Sequence, residues 1–386
     1  MQLVAYGPQD IHLTGNPNMS FFKNKDRKRY GNFACENIEF PFKEKESPKK
    51  CVCNTPILNK FCPNCGKSLL SLNVENIESP FNEITTITIP RNGDLIYKTY
   101  IKLKIVGDDS NFIEDLGENI IKKFQIFIGG QLISSYDNDY MKIHNYINKK
   151  GDDYNLYKSL IQLDDGYLII PLLFWFCKEP ENALPLIALQ YHEIEIKLEF
   201  ESLENIYNGK EEIQLSGSLM IDYIYLDSDE RRRFARTGHE YLIEQVQVNE
   251  YPIKELKESY KINFNHPCKE LFWVTKKDKE YVNNLTSVNI KFNGHDRIKQ
   301  KDPIYYNKIQ PYQYNRRSMK GLYSYSLSLN PKDDLQPSGS CNFSRMDNVQ
   351  IVCEHKQIDN SNIKIYGINY NVLKIMSGMG TLAYSN

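Results

Sequence analysis

Four of the nine cysteines fall close together, as Cys51-x-Cys53 and then Cys62-x-x-Cys65-Gly66 in the stretch "CVCNTPILNKFCPNCG". The two residues between Cys62 and Cys65 turn the chain so that both thiolates face one ion, and Gly66 tolerates the tight backbone. The single residue between Cys51 and Cys53 still permits chelation, with a less common first turn. Four thiolates on Zn²⁺ carry an excess negative charge, which Lys49, Lys50, Lys60 and Lys67 can offset. With Cys51, Cys53, Cys62 and Cys65 all ligating, no position is left for water or substrate, so the expected zinc is structural. The alternative is four free thiols in a loop, a liability in a reducing compartment. "MQLVAYGPQDIHLTG" lacks the regions of a secretory signal, and the expectation is a cytosolic chain with reduced thiols.

No other constellation reads as an active site. Cys177 ends the apolar "LLFWFC" run, where a buried small hydrophobe is expected rather than a nucleophile. His192 lies on the apolar parity of its strand and reads as a satisfied core histidine. His144, His239, His266 and His295 lack metal-ligand spacing, and neither a Gly-rich phosphate loop nor a nucleophile elbow occurs. No catalytic residue is expected.

The elements that would position these groups are strands. In "YHEIEIKLEF", Ile194, Ile196, Leu198 and Phe200 share one face and Glu193, Glu195, Lys197 and Glu199 the other. Leu95, Tyr97, Thr99, Ile101, Leu103 and Ile105 alternate with Lys98, Lys102 and Lys104. Tyr323, Tyr325, Leu327 and Leu329 alternate with Ser324, Ser326 and Ser328, which predicts a wet serine face. "YLIIPLLFWFC" at 167–177 is too short to span a membrane and reads as a buried strand. Asn92-Gly93, Gly129-Gly130 and Asn293-Gly294 are hairpin signals, and helical periodicity is scarce.

"FQIFIGGQLI" can be laid over "VNIKFNGHDRI", and "LPLIALQYHEIEI" more loosely over "QPSGSCNFSRMDNVQI", a faint internal duplication. Between the halves, "LDSDERRRFARTGHEYLIEQ" predicts a short linker helix capped by Asp227, with Glu230 reaching back to its amide. Its Arg231, Arg232, Arg233 and Arg236 read as a solvated or subunit-facing run rather than a phosphate patch. A chain of 386 residues, short strands throughout and frequent turns together predict an all-β protein of two tandem antiparallel jelly-roll sandwiches. The 48 basic and 49 acidic residues nearly cancel, which disfavours a zinc-ribbon nucleic-acid binder.

Particular strings carry further information. "MQLVAYGPQDIHLTGNPNMSFFK", "FWFCKEPENALPLIALQYHEIEI", "YLDSDERRRFARTGHEYLIEQ", "NFNHPCKELFWV", "NGHDR", "QPSGSCNFSRMDN" and "YGINYNVLKIMSGMGTLAYSN" resemble, in this order, the major capsid proteins of nucleocytoplasmic large DNA viruses, iridovirus-like and mimivirus-like members included. The resemblance implies a double jelly roll whose homotrimers form pseudo-hexagonal capsomers of an icosahedral shell, without catalysis. It divides the chain into an N-terminal arm at 1–22, a first roll at 23–226, a linker at 227–240 and a second roll at 241–386. The implied partners are further copies, neighbouring capsomers, minor capsid and penton proteins, and through the arm an internal viral membrane; no specific nucleic acid is implied. The implied location is the virion, after assembly in host cytoplasm. The Cys51–Cys65 cluster departs from the family pattern and reads as a zinc-ribbon-like insertion, 43–82, in the first roll, used for inter-subunit or inter-capsomer contact. That departure leaves a scaffold or minor capsid paralogue of the same fold as the alternative role.

Overall fold

The computed structural model describes residues 32–40, 81, 83–106, 111–149, 151–209, 213–278, 280–333, 336–358 and 360–385. The proposed N-terminal arm and the four clustered cysteines lie outside the described residues.

Eight principal strands build the first half: β1 (Asn32–Phe40), β2 (Ile84–Thr88), β3 (Leu95–Val106), β4 (Ile121–Ile128), β5 (Gln131–Asp137), β6 (Tyr167–Pro171), β7 (Ile194–Phe200) and β8 (Gln214–Tyr225). They form two antiparallel sheets, ordered β1-β8-β3-β6 and β2-β7-β4-β5. The second half repeats the plan with β9 (His239–Pro252), β10 (Lys257–Ile262), β11 (Pro267–Lys277), β12 (Leu285–Phe292), β13 (His295–Lys301), β14 (Leu322–Ser326), β15 (Val349–His355) and β16 (Ser361–Met376). Its sheets are ordered β9-β16-β11-β14 and β10-β15-β12-β13. In both halves the first, eighth, third and sixth strands face the second, seventh, fourth and fifth, which is a jelly roll. The loose second match in the sequence is also structural. Leu184–Pro185, a 3₁₀ turn at Leu186–Ala188 and then β7 correspond to Cys341–Asn342, a 3₁₀ turn at Phe343–Arg345 and then β15.

Period-two patterning places the cores. Ile194, Ile196, Leu198 and Phe200 are all buried, as expected for a strand with one wet face. On β3 a register shift between Ile96 and Thr99 turns Ile96 inward as well, and Tyr97 is only half-buried. Gly129-Gly130 and Asn293-Gly294, with positive φ at both residues, close the β4–β5 and β12–β13 hairpins.

Five expectations are corrected. Asn92-Gly93 joins strands of different sheets instead of closing a hairpin, and Gly93 is required because a Cβ there would lie 2.5 Å from that of Tyr223. The strand expected over 167–177 stops at Pro171, and Trp175–Cys177 form a 3₁₀ turn. Ser324, Ser326 and Ser328 are buried rather than wet, because the segment at 303–313 covers them: Ser324 Oγ donates to the Tyr306 carbonyl and Gln310 Oε1 accepts from the Ser326 amide. Leu329, expected inside, is 87% exposed. Finally, two helices that strand periodicity missed, α1 (Asn138–Asn148) and α2 (Gly151–Leu160), occupy the β5–β6 connection. The linker helix, α3 (Ser228–Arg236), is capped as expected, the Asp227 carboxylate accepting from the Asp229 and Glu230 amides at 3.1 and 3.0 Å.

Candidate functional site: the seam between the two rolls

Among the described residues a network of interacting charged groups lies where the β5 edge and α1 of the first roll meet the outward face of the β9-β16-β11-β14 sheet. α1 starts at Asp137, whose carboxylate accepts from the Tyr140 amide at 2.8 Å. From there Tyr140, Ile143 and Ile147 recur at helical spacing and are buried. They join one apolar cluster with Phe272, Val274, Leu322, Tyr366 and Ile368 of the second roll. The rings of Tyr140 and Tyr366 pack 5.9 Å apart.

Around this apolar strip run three charged groups. Asp139, 3% exposed, accepts from Lys276 Nζ at 2.7 Å, Lys364 Nζ at 2.8 Å and Tyr281 Oη at 2.8 Å. Asp137 accepts from Tyr366 Oη at 2.9 Å and Lys364 Nζ at 3.2 Å. Burial alone would raise the Asp139 pKa, but the positive charges and hydrogen bonds of Lys276 and Lys364 outweigh it and hold the carboxyl well below the usual range. The same contacts raise the Lys364 pKa against the opposing effect of burial. Further along, Glu244 of β9 binds Lys178 of the first roll at 2.7 Å and also Lys269 of β11. Its pKa is lowered because these two lysines outweigh its desolvation. The third group pairs the buried Glu270 with Arg316, whose side chain is 5% exposed, within the second roll. In this pair, burial outweighs the arginine and raises the Glu270 pKa.

A cavity of about 190 Å³ sits beside these groups, lined by His144 and Asn148 of α1 together with Lys178, Glu244, Lys269 and Arg316. Burial, reinforced by Lys178 and Arg316, pushes the His144 pKa well down, so the ring is neutral. The β5 edge itself is closed by Gln245 Nε2 of β9, which donates to the Ile133 carbonyl at 2.5 Å, and by the Leu382 amide, which donates to Gln131 Oε1 at 3.1 Å. Arg317 stacks its guanidinium 4.1 Å from the Tyr146 ring and 4.4 Å from that of Tyr154 on α2. The opposed charges of this seam are paired across it, an arrangement that fixes one roll on the other.

Of the residues singled out in the sequence, His144 lines this cavity and the others lie elsewhere. Cys51, Cys53, Cys62 and Cys65 are outside the described residues. Among the described residues no group of three or more His, Cys, Asp or Glu side chains could hold a metal. The Cys177 thiol lies 3.2 Å from Thr99 Oγ1, and burial pushes its pKa up to about 12. His192 is half-buried, and its Nδ1 accepts from the Gly380 amide at 3.2 Å. His239 bonds the Phe234 carbonyl at 2.8 Å and stacks on that ring, locking the end of α3. Asp137 and Asp139 were missed, although a helix-capping Asp followed by apolar residues at helical spacing was a legible signal.

The comparisons with known proteins agree with this architecture. Residues 70–227 match the family model for the major capsid protein N-terminus, and residues 230–381 match that for the large eukaryotic DNA virus major capsid protein. The chain is 37% identical to the major capsid protein of Pyramimonas orientalis virus and 32% identical to that of Paramecium bursaria Chlorella virus 1, in each case over 100% of this chain and 99% of the relative. It superposes on a chain of the quasi-atomic PBCV-1 virus capsid with a TM-score of 0.74 at 28% identity, covering 95% of this chain and 100% of the other. The Faustovirus major capsid protein shares the fold, with a TM-score of 0.68 at 12% identity. With paired eight-stranded rolls, a charged seam between them and relatives matched from end to end, this chain belongs to the major capsid proteins of large eukaryotic DNA viruses, and its role is structural.

Proposed function

We propose that the chain is a shell subunit that trimerises into a pseudo-hexagonal capsomer, the capsomers tiling an icosahedral capsid. The observation that carries this reading is the duplication: one chain presents two rolls of identical strand order, so three copies present six similar units to six neighbours. An obligate interface of this kind buries more than about 2,000 Å² in total. Light scattering on the purified full chain at micromolar concentration is expected to give three times the monomer mass. A clean monomer under those conditions would refute the trimer.

The proposal extends to the insertion at 43–82. Its Cys51, Cys53, Cys62 and Cys65 bind one structural zinc and stiffen a loop that contacts a neighbouring subunit or capsomer, support coming from ligand type and spacing. A segment too short to bury its own core gains its fold from the metal. The N-terminal arm faces minor capsid proteins and an internal membrane, and the chain assembles in host cytoplasm before residing in the virion. Elemental analysis of protein purified without chelator is expected to show one zinc per chain, lost in Cys62→Ser and Cys65→Ser variants. The rolls have their own cores, so their cooperative unfolding should persist in those variants. Zinc-free wild-type protein, or variants that fail to fold at all, would contradict this assignment.

A further inference from the structure

The cavity at the seam is rich in positive charge. Lys178, Lys269, Arg316 and Lys332 line it with a single carboxylate, Glu244. Glu244 binds both Lys178 and Lys269, and Glu270, outside the lining, binds Arg316. Three cations therefore share two carboxylates, and burial weakens the hold of one of these on its proton-free form by raising the Glu270 pKa. Lys332, whose Nζ donates to the Asn315 carbonyl at 2.7 Å, adds a fourth cation. Apolar walls from Ile143, Phe272 and Ile368 strengthen every electrostatic interaction inside.

The hydrogen-bonding groups of the same residues are incomplete. His144 and Asn148 stand four apart on α1 and so share one side of it. His144 Nδ1, Asn148 Oδ1 and Arg316 Nε are buried and have no hydrogen-bond partner among the described residues. Leaving such groups unsatisfied is costly, and three of them at one cavity call for a common partner. Arg316 Nε can only donate, Asn148 Oδ1 can only accept, and His144 Nδ1 does either according to its tautomer. The partner must therefore carry negative charge, several acceptor oxygens and one O–H. At about 190 Å³ the cavity lies below the range of about 300–1,000 Å³ usual for organic ligands, which favours a small ion.

The geometry points to an anion site for hydrogen phosphate between the rolls, held by Lys178, Lys269, Arg316 and Lys332 and completed by His144 and Asn148. Both rolls contribute: α1 and Lys178 belong to the first, and Lys269, Arg316 and Lys332 to the second. A bound ion thus ties one roll to the other and stabilises the folded chain by linkage. The site lies within a single chain, so it stands or falls independently of the trimer.

The test is calorimetric titration of inorganic phosphate into the full chain at constant ionic strength, with near-ultraviolet circular dichroism as the control for folding. One saturable site per chain is expected, together with a urea midpoint that rises with phosphate. Lys332→Gln breaks neither carboxylate pair, and Lys178→Gln leaves Glu244 with Lys269. Each is expected to weaken binding by at least about fivefold through the lost charge. Lys299→Gln, exposed on β13 and outside the cavity, is expected to change nothing. Sulfate, which has no proton to donate to Asn148, and adenosine monophosphate, which is larger, are expected to bind more weakly than phosphate. No saturable binding by the wild type overturns the site. Binding that is unchanged in both cavity variants, or weakened equally by Lys299→Gln, overturns its location. Sulfate binding as tightly as phosphate, or adenosine monophosphate binding more tightly, overturns the assignment to the free hydrogen phosphate ion.

Discussion

Replacing Asp139 with alanine is expected to destabilise the folded chain by roughly 3–5 kcal/mol, the range for breaking a buried ion pair from one side. The reason is what stays behind. The Lys276 and Lys364 side chains are only 21% and 17% exposed, and both lose their shared carboxylate, as does the Tyr281 hydroxyl. The neighbouring Asp137 touches Lys364 alone of the two lysines, so it compensates only in part. Asp139→Asn should recover some hydrogen bonding but no charge and fall between. The pH dependence distinguishes charge from shape. Because the folded-state pKa of Asp139 is depressed, its contribution is fully present above the unfolded value of about 3.9 and is lost only as pH falls towards the lower folded value. Between pH 7 and pH 5 the gap between wild type and Asp139→Asn should therefore be constant, closing only in stronger acid. Urea denaturation across that range measures it. A loss under about 1 kcal/mol, or a gap that closes by pH 5, would remove the seam's electrostatic account.

What was legible in the sequence, and what was not, follows from the range of each interaction. β7 could be read because one face is wet, so alternation records burial residue by residue. The same rule failed at β14, where Ser324 and Ser326 are hidden by a segment that packs over them, a contact to which periodicity is blind. β11 illustrates the general point: nine of its residues from Pro267 to Thr275 are buried because the first roll covers its outer side, although Lys269 and Glu270 look like surface residues. The seam was invisible for a similar reason. Asp139 stands 137 residues from Lys276 and 225 from Lys364, and a carboxylate is presumed exposed until its partners are known. Recognition of whole strings supplied the family that no single pattern could, while the zinc assignment of Cys51, Cys53, Cys62 and Cys65 still rests on spacing.

Trp273→Ala is expected to cost about 3–5 kcal/mol, and to cost it in both rolls at once. Trp273 is fully buried in the second roll's core, 5.1 Å from the Tyr306 ring and stacked 6.1 Å from that of Tyr323. Removing it opens a cavity between the Tyr323 ring of β14 and the Tyr306 ring of the segment at 303–313. The indole nitrogen has no hydrogen-bond partner among the described residues, so Trp273→Phe should be far milder, at about 1–2 kcal/mol. The chain has two tryptophans, and the other, Trp175, is buried in the first roll. In either variant Trp175 is the one tryptophan left, and its emission reports the first roll together with the seam cluster it belongs to. The neighbours of Trp273 on β11, Phe272 and Val274, point the opposite way into the apolar cluster that contains Trp175. A second roll that unfolds withdraws that surface together with the lysines of Asp139. The Trp175 transition should consequently move to lower denaturant in step with the loss of the second roll. If Trp175 instead unfolds at the wild-type midpoint while circular dichroism shows an earlier second-roll transition, the rolls are independent units and the seam does not couple them.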